Sequence, residues 1–198
     1  MNQDFWNQRY QQPIYAYGEA PNVFFAAEID QLAPGKILLP AEGEGRNAVF
    51  AARKGWEVEA FDISREGQQK AQQLAGKYEV NISYQCYGFA NLAFPASSFD
   101  CIALIFAHQP AAVRAAYFSA LVPLLKPGGT LILEGFSTDQ LGKSSGGPKR
   151  IDMLFSEEQL NSDFAALSQR KIFQIEVELD EGPYHQGVAS VIRMVGIK

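Results

Sequence analysis

The chain has 198 residues, 47% of them hydrophobic, and a formal net charge of −5 at pH 7; these values are typical of a globular protein of about one domain and exclude a disordered or fibrous chain. The acidic balance and the lack of a cluster of basic residues argue against nucleic acid as the main partner. Because the longest apolar run, residues 101–107, is far shorter than the ~20 residues that cross a bilayer, and residues 1–4 show no secretory signal, we expect a cytoplasmic protein with no membrane contact.

The metal-binding residue types are few and scattered. Cys86 and Cys101 are the only two cysteines, and His108 and His185 are the only histidines. Their spacing forms neither a disulfide framework nor a set of metal ligands. The sequence therefore predicts no metal site.

The chain begins with a helical, aromatic-rich segment, residues 1–33. Pro21 is a residue favoured at the first position of a helix, so residues 22–33 predict one. Trp6 and Tyr10 are four positions apart, at helical spacing. They either pack on the sheet or belong to a cover over the active site.

Residues 34–135 alternate strand and helix patterns, an order typical of a parallel, doubly wound sheet. Strands are predicted at residues 36–40, 57–61, 81–86, 99–106 and 130–134, and helices at residues 46–54, 64–77 and 110–125. The nearly continuous apolar character of residues 99–106 is typical of a strand buried on both faces.

Residues 136–198 differ in composition from the preceding core. Residues 136–149 are rich in serine, glycine and lysine and predict a mobile loop, and Ser156 predicts the cap of a helix that ends near Leu167. Residues 171–179 and 188–197 predict two antiparallel strands at the sheet edge. We therefore expect a single domain, residues 1–198, with a Rossmann-like α/β fold: a seven-stranded, mostly parallel sheet with an antiparallel C-terminal pair and helices on both faces.

A glycine-rich turn, Glu42-Gly43-Glu44-Gly45, lies between the first predicted strand and the first predicted helix of this core. Glycines there let a ligand approach the backbone, and the helix amides behind them would face it. Asp62 ends the second strand, 19 residues after Gly43, where a carboxylate suits the two hydroxyls of a ribose. The pattern predicts an adenosine-containing cofactor.

Two cofactor types fit these residues. The spacing Gly43-x-Gly45-x-x-Ala48 is permitted for a dinucleotide. The carboxylates of Glu42 and Glu44 would repel a diphosphate but tolerate a sulfonium. No tyrosine is followed four residues later by lysine, so the proton relay of short dehydrogenases is absent.

The chain resembles the class I S-adenosylmethionine-dependent methyltransferases, and most of all small bacterial members of the tellurite-resistance and thiopurine methyltransferase type. The resemblance rests on Glu42-Gly43-Glu44-Gly45-Arg46-Asn47, on Lys126-Pro127-Gly128-Gly129 and on residues 5–10, 17–22, 61–64, 146–148 and 181–187. It implies S-adenosylmethionine as the cofactor and S-adenosylhomocysteine as its product.

The resemblance also implies roles for individual residues. The implied cofactor site contains Arg9, Glu42, Gly43, Gly45, Asn47, Asp62, Ile63, Phe89, Ala90 and Phe106. In it the glycines pass under the methionine part, Asp62 holds the ribose, and Ile63, Phe89 and Ala90 contact the adenine. Two positions depart from the family pattern: Ala41 replaces a frequent glycine, and Gly88 replaces an aspartate that reads the adenine amino group.

No residue stands out as the catalytic one; the candidates are His108, His185, Arg150 and Tyr17. Methyl transfer needs a general base only when the acceptor carries a proton, so the lack of an evident base favours a thiol or a selenium or tellurium oxyanion. Residues 6–22 and 136–150 are expected to close over the site and exclude water. The alternatives are a non-catalytic module that binds S-adenosylmethionine or S-adenosylhomocysteine and, less favoured, an NAD(P)-dependent oxidoreductase. We expect a small-molecule substrate and a monomer or homodimer.

Overall fold

The computed structural model describes residues 2–198, so Met1 of the predicted N-terminal segment lies outside it. The described strands are β1 (Lys36–Pro40), β2 (Glu57–Asp62), β3 (Ser83–Cys86), β4 (Phe99–Ile105), β5 (Leu125–Phe136), β6 (Gln169–Asp180) and β7 (Gln186–Ile197). The described α-helices are α1 (Gln3–Tyr10), α2 (Val23–Ile29), α3 (Arg46–Arg53), α4 (Arg65–Lys77), α5 (Ala111–Ser119) and α6 (Glu157–Asp163).

The seven strands form one sheet in the order β3-β2-β1-β4-β5-β7-β6. The pairs among β1 to β5 are parallel, and β7 pairs antiparallel with both β5 and β6. The predicted fold class is confirmed. The order reverses between β1 and β4, and the carboxyl ends of strands at such a switch point form the usual ligand crevice of an open α/β sheet.

Apolar side chains cover both faces of the sheet. On one face, Phe25 of α2 and Leu74 of α4 pack with Ile37 of β1. On the other, Phe118 of α5 and Phe164 stack with their ring centroids 5.4 Å apart. No helix within residues 2–198 is long and apolar enough to cross a membrane.

Several helix boundaries differ from the predictions for local reasons. Asn22 is the cap of α2 rather than its first residue, because its side chain accepts a hydrogen bond from the Phe25 amide. The helix predicted over residues 110–125 ends at Ser119 and is followed by a 3₁₀ turn that contains Pro123. Ser156 caps α6 as predicted, but α6 ends at Asp163.

The loop after β5 is anchored, which corrects its prediction as a mobile segment. The side chain of Gln140 is buried and donates to the Ser145 hydroxyl at 2.9 Å and to the Gly146 carbonyl at 3.1 Å. Its side-chain oxygen accepts from the Ser190 amide of β7 at 2.8 Å. These bonds hold the loop against the antiparallel end of the sheet.

Candidate active site

Two adjacent cavities lie at the carboxyl ends of β1 and β4. The first has a volume of about 360 Å³ and the second about 210 Å³. Both are lined by Trp6, Ala41, Phe106 and His108. Trp6 of α1 therefore lies over the strand ends, whereas Phe25 of α2, in the same N-terminal segment, packs on a face of the sheet.

The backbone is strained at the wall that the two cavities share. Ala41 follows β1 with φ 54°, and Phe106 follows β4 with φ 52°. Both are left-handed conformations that cost a residue with a side chain about 1–2 kcal/mol. The geometry at Ala41 accounts for glycine being frequent at this position in the family that the sequence resembles. Strain of this kind persists where the surroundings impose it, and it is typical of functional sites.

The second cavity gathers the residues predicted for adenosine. Asp62, Ile63, Phe89 and Ala90 all line it. The buried Asp62 carboxylate accepts from the Gly43 amide at 3.2 Å and the Ser64 amide at 2.8 Å, one bond to each oxygen. Burial raises the pKa of Asp62 more than these backbone bonds lower it, and the resulting pKa is about 6. Each oxygen retains a lone pair that can accept a hydroxyl proton.

The Glu42 carboxylate occupies the N-terminus of α3. It accepts from the backbone amides of Asn47 at 2.8 Å and Ala48 at 2.7 Å. The helix amides that were predicted to face a ligand are thus bonded to a side chain of the protein. Burial raises the pKa of Glu42 to about 7. Glu42 and Asn47 both line the first cavity.

Glu44 and the two glycines of the turn pack against other parts of the protein. Glu44 forms a buried ion pair with Lys70 of α4 at 2.5 Å and accepts from the Ala16 amide. A side chain at Gly45 would meet the Cβ of Ala71 at 2.5 Å, and one at Gly43 would meet the Tyr10 hydroxyl at 2.7 Å. Neither glycine lines either cavity. Their small size lets α1 and α4 pack against the turn.

His108 has a structural environment, although it was a catalytic candidate. Its Nδ1 lies 2.7 Å from the Met153 carbonyl and therefore donates, and its Nε2 accepts from the Phe136 amide at 3.0 Å. Burial lowers the pKa of His108 to about 4. With both ring nitrogens bonded to the backbone, neither is available to a substrate.

Arg150, another catalytic candidate, lies at the surface. Its side chain is 65% exposed and pairs with Asp152 at 2.6 Å. It lines neither cavity, whereas the neighbouring Lys149 lines the first.

Tyr17 and Arg9, two predicted site residues, both line the first cavity. Arg9 donates to the Tyr17 hydroxyl at 3.2 Å, and its guanidinium lies 3.7 Å from the ring centre of Tyr184. Burial raises the pKa of Tyr17 more than the charge of Arg9 lowers it, so the pKa lies above its ordinary value. Tyr17 therefore stays protonated near neutral pH.

His185 lies in the first cavity with a buried carboxylate beside it. Its Nδ1 is 3.2 Å from Oε2 of Glu181, and the same oxygen accepts from Arg46 at 3.0 Å. The other carboxylate oxygen accepts from Asn22 at 3.0 Å. Sequence reasoning missed Glu181, Arg46 and Asn22 as partners of His185. The resemblance over residues 17–22 and 181–187 was the only signal that these segments matter together.

The comparisons with known proteins agree with this geometry. Residues 37–129 match a family model described as a methyltransferase domain. No curated protein matches the chain significantly. The chain is similar in structure to the protein described as converting a disulfide bond into a thioacetal group during echinomycin biosynthesis, with TM-score 0.73 and 18% identity over 98% of this chain and 90% of that one.

Two further structures are similar. One is TehB from Haemophilus influenzae, with TM-score 0.71 and 17% identity over 99% of this chain and only 66% of TehB. The other is an S-adenosylmethionine-dependent methyltransferase from Methanosarcina mazei, with TM-score 0.67 and 18% identity over 87% of this chain and 96% of that one. At these identities the structures show a common fold, and the family match identifies residues 37–129 as a methyltransferase domain. The chain contains an S-adenosylmethionine-dependent methyltransferase domain.

The residues of the methyltransferase fit S-adenosylmethionine. Asp62 offers free lone pairs in the second cavity, and Ala41 and Phe106 line both cavities. No three histidine, cysteine or carboxylate side chains among residues 2–198 are grouped as metal ligands.

Proposed function

We propose that the methyltransferase binds the adenosine part of S-adenosylmethionine in the second cavity and methylates a small molecule held in the first. The observation that carries this proposal is the Asp62 carboxylate, buried at the end of β2 with one backbone bond on each oxygen. Ile63, Phe89 and Ala90 beside it offer apolar contacts of the kind that suits an adenine.

The first cavity supplies the remaining contacts. S-adenosylmethionine, when bound, presents a methyl group on a sulfonium. Arg9 and Arg46 give the cavity cationic groups suited to a carboxylate, while Glu42 and the aromatic rings of Trp6 and Tyr17 suit a cation. The aromatic wall also excludes water, which methyl transfer requires.

The acceptor that we favour is a thiol, with a selenium or tellurium oxyanion as the second candidate. The second candidate rests on the resemblance to tellurite-resistance methyltransferases, on the similarity to TehB and on Lys149, a cation at the cavity that suits an oxyanion. A thiol suits the aromatic wall, because sulfur packs well against rings.

We also propose that residues 1–33, 34–135 and 136–198 work as one domain. Buried bonds link Asn22 to both Glu134 and Glu181, and Arg46 to Glu181. These contacts join all three predicted segments around the first cavity.

Calorimetric titration tests the cofactor assignment. S-adenosylhomocysteine should bind the protein, whereas NAD and NADP should give no heat of binding. Transfer of a labelled methyl group to thiophenol, selenite and tellurite then ranks the acceptors. Binding of NAD without binding of S-adenosylhomocysteine would contradict the proposal.

A further inference from the structure

The two histidines of the methyltransferase differ in the hydrogen bonding of one ring nitrogen, Nε2. Both ring nitrogens of His108 are bonded to the backbone. His185 is also buried, but only its Nδ1 is bonded. Its Nε2 has no hydrogen-bond partner within residues 2–198 and is not sealed from solvent. Because the ring lines the first cavity, that nitrogen is available to a molecule bound there.

Aromatic rings fix the orientation of His185. Its ring centre lies 4.4 Å from that of Tyr17, 4.5 Å from that of Phe106 and 5.1 Å from that of Phe136. Glu181 holds Nδ1 from the other side, and Glu181 is itself fixed by Arg46 and Asn22. The imidazole therefore has one tautomer, with its proton on Nδ1 and a lone pair on Nε2.

The charges around His185 favour this state. Burial alone would raise the pKa of Glu181, but the hydrogen bond from His185 and the charge of Arg46 lower it to about 2, so Glu181 is ionised. Burial lowers the pKa of His185, an effect that Arg46 and Arg9 reinforce and Glu181 opposes. Tyr17, whose ring packs on His185, is uncharged near neutral pH. His185 is consequently neutral and able to accept a proton.

We propose that Nε2 of His185 is the general base for acceptors that enter the first cavity with their proton still attached, and that Glu181 is its positioning residue. This inference rests on the proposed function and narrows its acceptor class to small aromatic molecules with a reacting O–H or S–H group. The rings of Trp6, Tyr17 and Phe106 give such a flat molecule its binding surface.

The step balances as follows. The acceptor oxygen or sulfur forms a bond to the methyl carbon, and the bond between that carbon and the sulfonium breaks, leaving its electron pair on the sulfur. The acceptor proton moves to Nε2, and the imidazolium is stabilised by the Glu181 carboxylate. The products are the methylated acceptor, S-adenosylhomocysteine and one proton, which His185 returns to solvent.

Two probe acceptors of the same shape test this assignment. Phenol is protonated near neutral pH, whereas thiophenol is largely ionised and needs no base. His185→Gln should lower the turnover of phenol by roughly a hundredfold to ten-thousandfold, the usual contribution of a general base, and should change the turnover of thiophenol by less than about tenfold. The control is Glu134→Gln, which removes a carboxylate from the same buried network without touching His185 and should leave the ratio of the two rates unchanged.

Nuclear magnetic resonance of the histidine ring nitrogens gives a second readout, which does not depend on activity or on the folding of a variant. With only two histidines in the chain, His185→Gln identifies both signal sets. In the wild-type protein at neutral pH, His185 should show a protonated Nδ1 and an unprotonated Nε2. Glu181→Gln should lower its pKa further, because the carboxylate raises it.

Four outcomes would overturn the inference: a wild-type enzyme that methylates neither probe, one that methylates only thiophenol, equal losses for both probes in His185→Gln, or an Nε2 that carries the proton. If S-adenosylhomocysteine fails to bind the wild-type protein, the proposed function itself is wrong.

Discussion

The two cavities share one edge of the sheet but are built from different parts of the chain. The second is lined by short stretches at the ends of strands, such as Asp62 and Ile63 at the end of β2 and Phe89 after β3. The first depends on contacts between distant segments: Arg46 and Glu181 are 135 positions apart. We infer that cofactor affinity depends on local strand-end motifs, whereas acceptor chemistry depends on how the two ends of the chain are held together.

The largest effect on stability is expected at Lys70, which anchors the N-terminal wall of the first cavity. Lys70 pairs with buried Glu44 and donates to the carbonyls of Gln12 at 2.8 Å and Ile14 at 2.7 Å. Lys70→Met leaves Glu44 buried without its cation, so the free energy of unfolding should fall by roughly 3–5 kcal/mol in a denaturant titration.

Lys77→Met is the matched control for this change. Lys77 lies on the same helix and pairs with Glu19, but both side chains are substantially exposed. The loss of unfolding free energy there should be only a small fraction of the loss in Lys70→Met, because solvent screens an exposed pair. Equal losses in the two variants would show that the buried pair does not anchor the N-terminal segment.

His108 lines both cavities, and its substitution should lower the stability of the protein. His108→Ala leaves the Phe136 amide and the Met153 carbonyl without their partner, so the free energy of unfolding should fall by roughly 2–4 kcal/mol. In the wild type, the unfolded state binds a proton at this histidine near pH 6.5, whereas the folded state resists protonation down to about pH 4. Stability should therefore decrease as the pH falls between these values, and this component should be absent from the variant. A variant as stable as the wild type would contradict the bonding seen in the structure.

The second cavity is tested by Asp62→Ala. Loss of the proposed bonds from both ribose hydroxyls should weaken S-adenosylhomocysteine binding by roughly 1.5–3 kcal/mol, measured by calorimetry. Glu59→Gln removes another carboxylate of β2 that lines neither cavity and should not alter the dissociation constant. An unchanged constant in a folded Asp62→Ala protein would contradict the ribose assignment.

A smaller effect, a pH dependence of the affinity for S-adenosylhomocysteine, follows from the Asp62 carboxyl. The pKa of Asp62 is about 6 without ligand, and hydroxyl donors would stabilise its ionised form and lower this pKa. Affinity for S-adenosylhomocysteine should therefore be constant above pH 6 and weaken by at most about tenfold, or about 1.4 kcal/mol, per unit below it. Asp62→Asn should remove this dependence; a wild-type affinity that is flat down to pH 4.5 would contradict it.

The parts of the molecule that could be predicted from sequence are those with a local cause. Strand alternation, the Ser156 cap and the position of Asp62 at the end of β2 each depend on neighbours a few positions away. The antiparallel pair β6 and β7 was also predictable, because a short turn joins two strand patterns.

The first cavity could be predicted only in part, because its chemistry arises from long-range bonds. Nothing in the local sequence of His108 shows that backbone groups take both its nitrogens, or that Glu181 leaves one nitrogen of His185 free. Similarly, Glu44 carries the charge expected beside a sulfonium, but its partner Lys70 lies on the next helix. The spacing of residues along the chain does not specify which of these groups reach the cavity.

A crystal structure of the protein with S-adenosylhomocysteine tests the central claim most directly. The division between the cavities predicts the adenine beside Phe89 and Ala90, the ribose hydroxyls on the Asp62 carboxylate, and the homocysteine sulfur in the first cavity within reach of an acceptor that contacts His185. Adenosine bound in the first cavity, or outside both cavities, would contradict the claim that the second cavity is built for the cofactor.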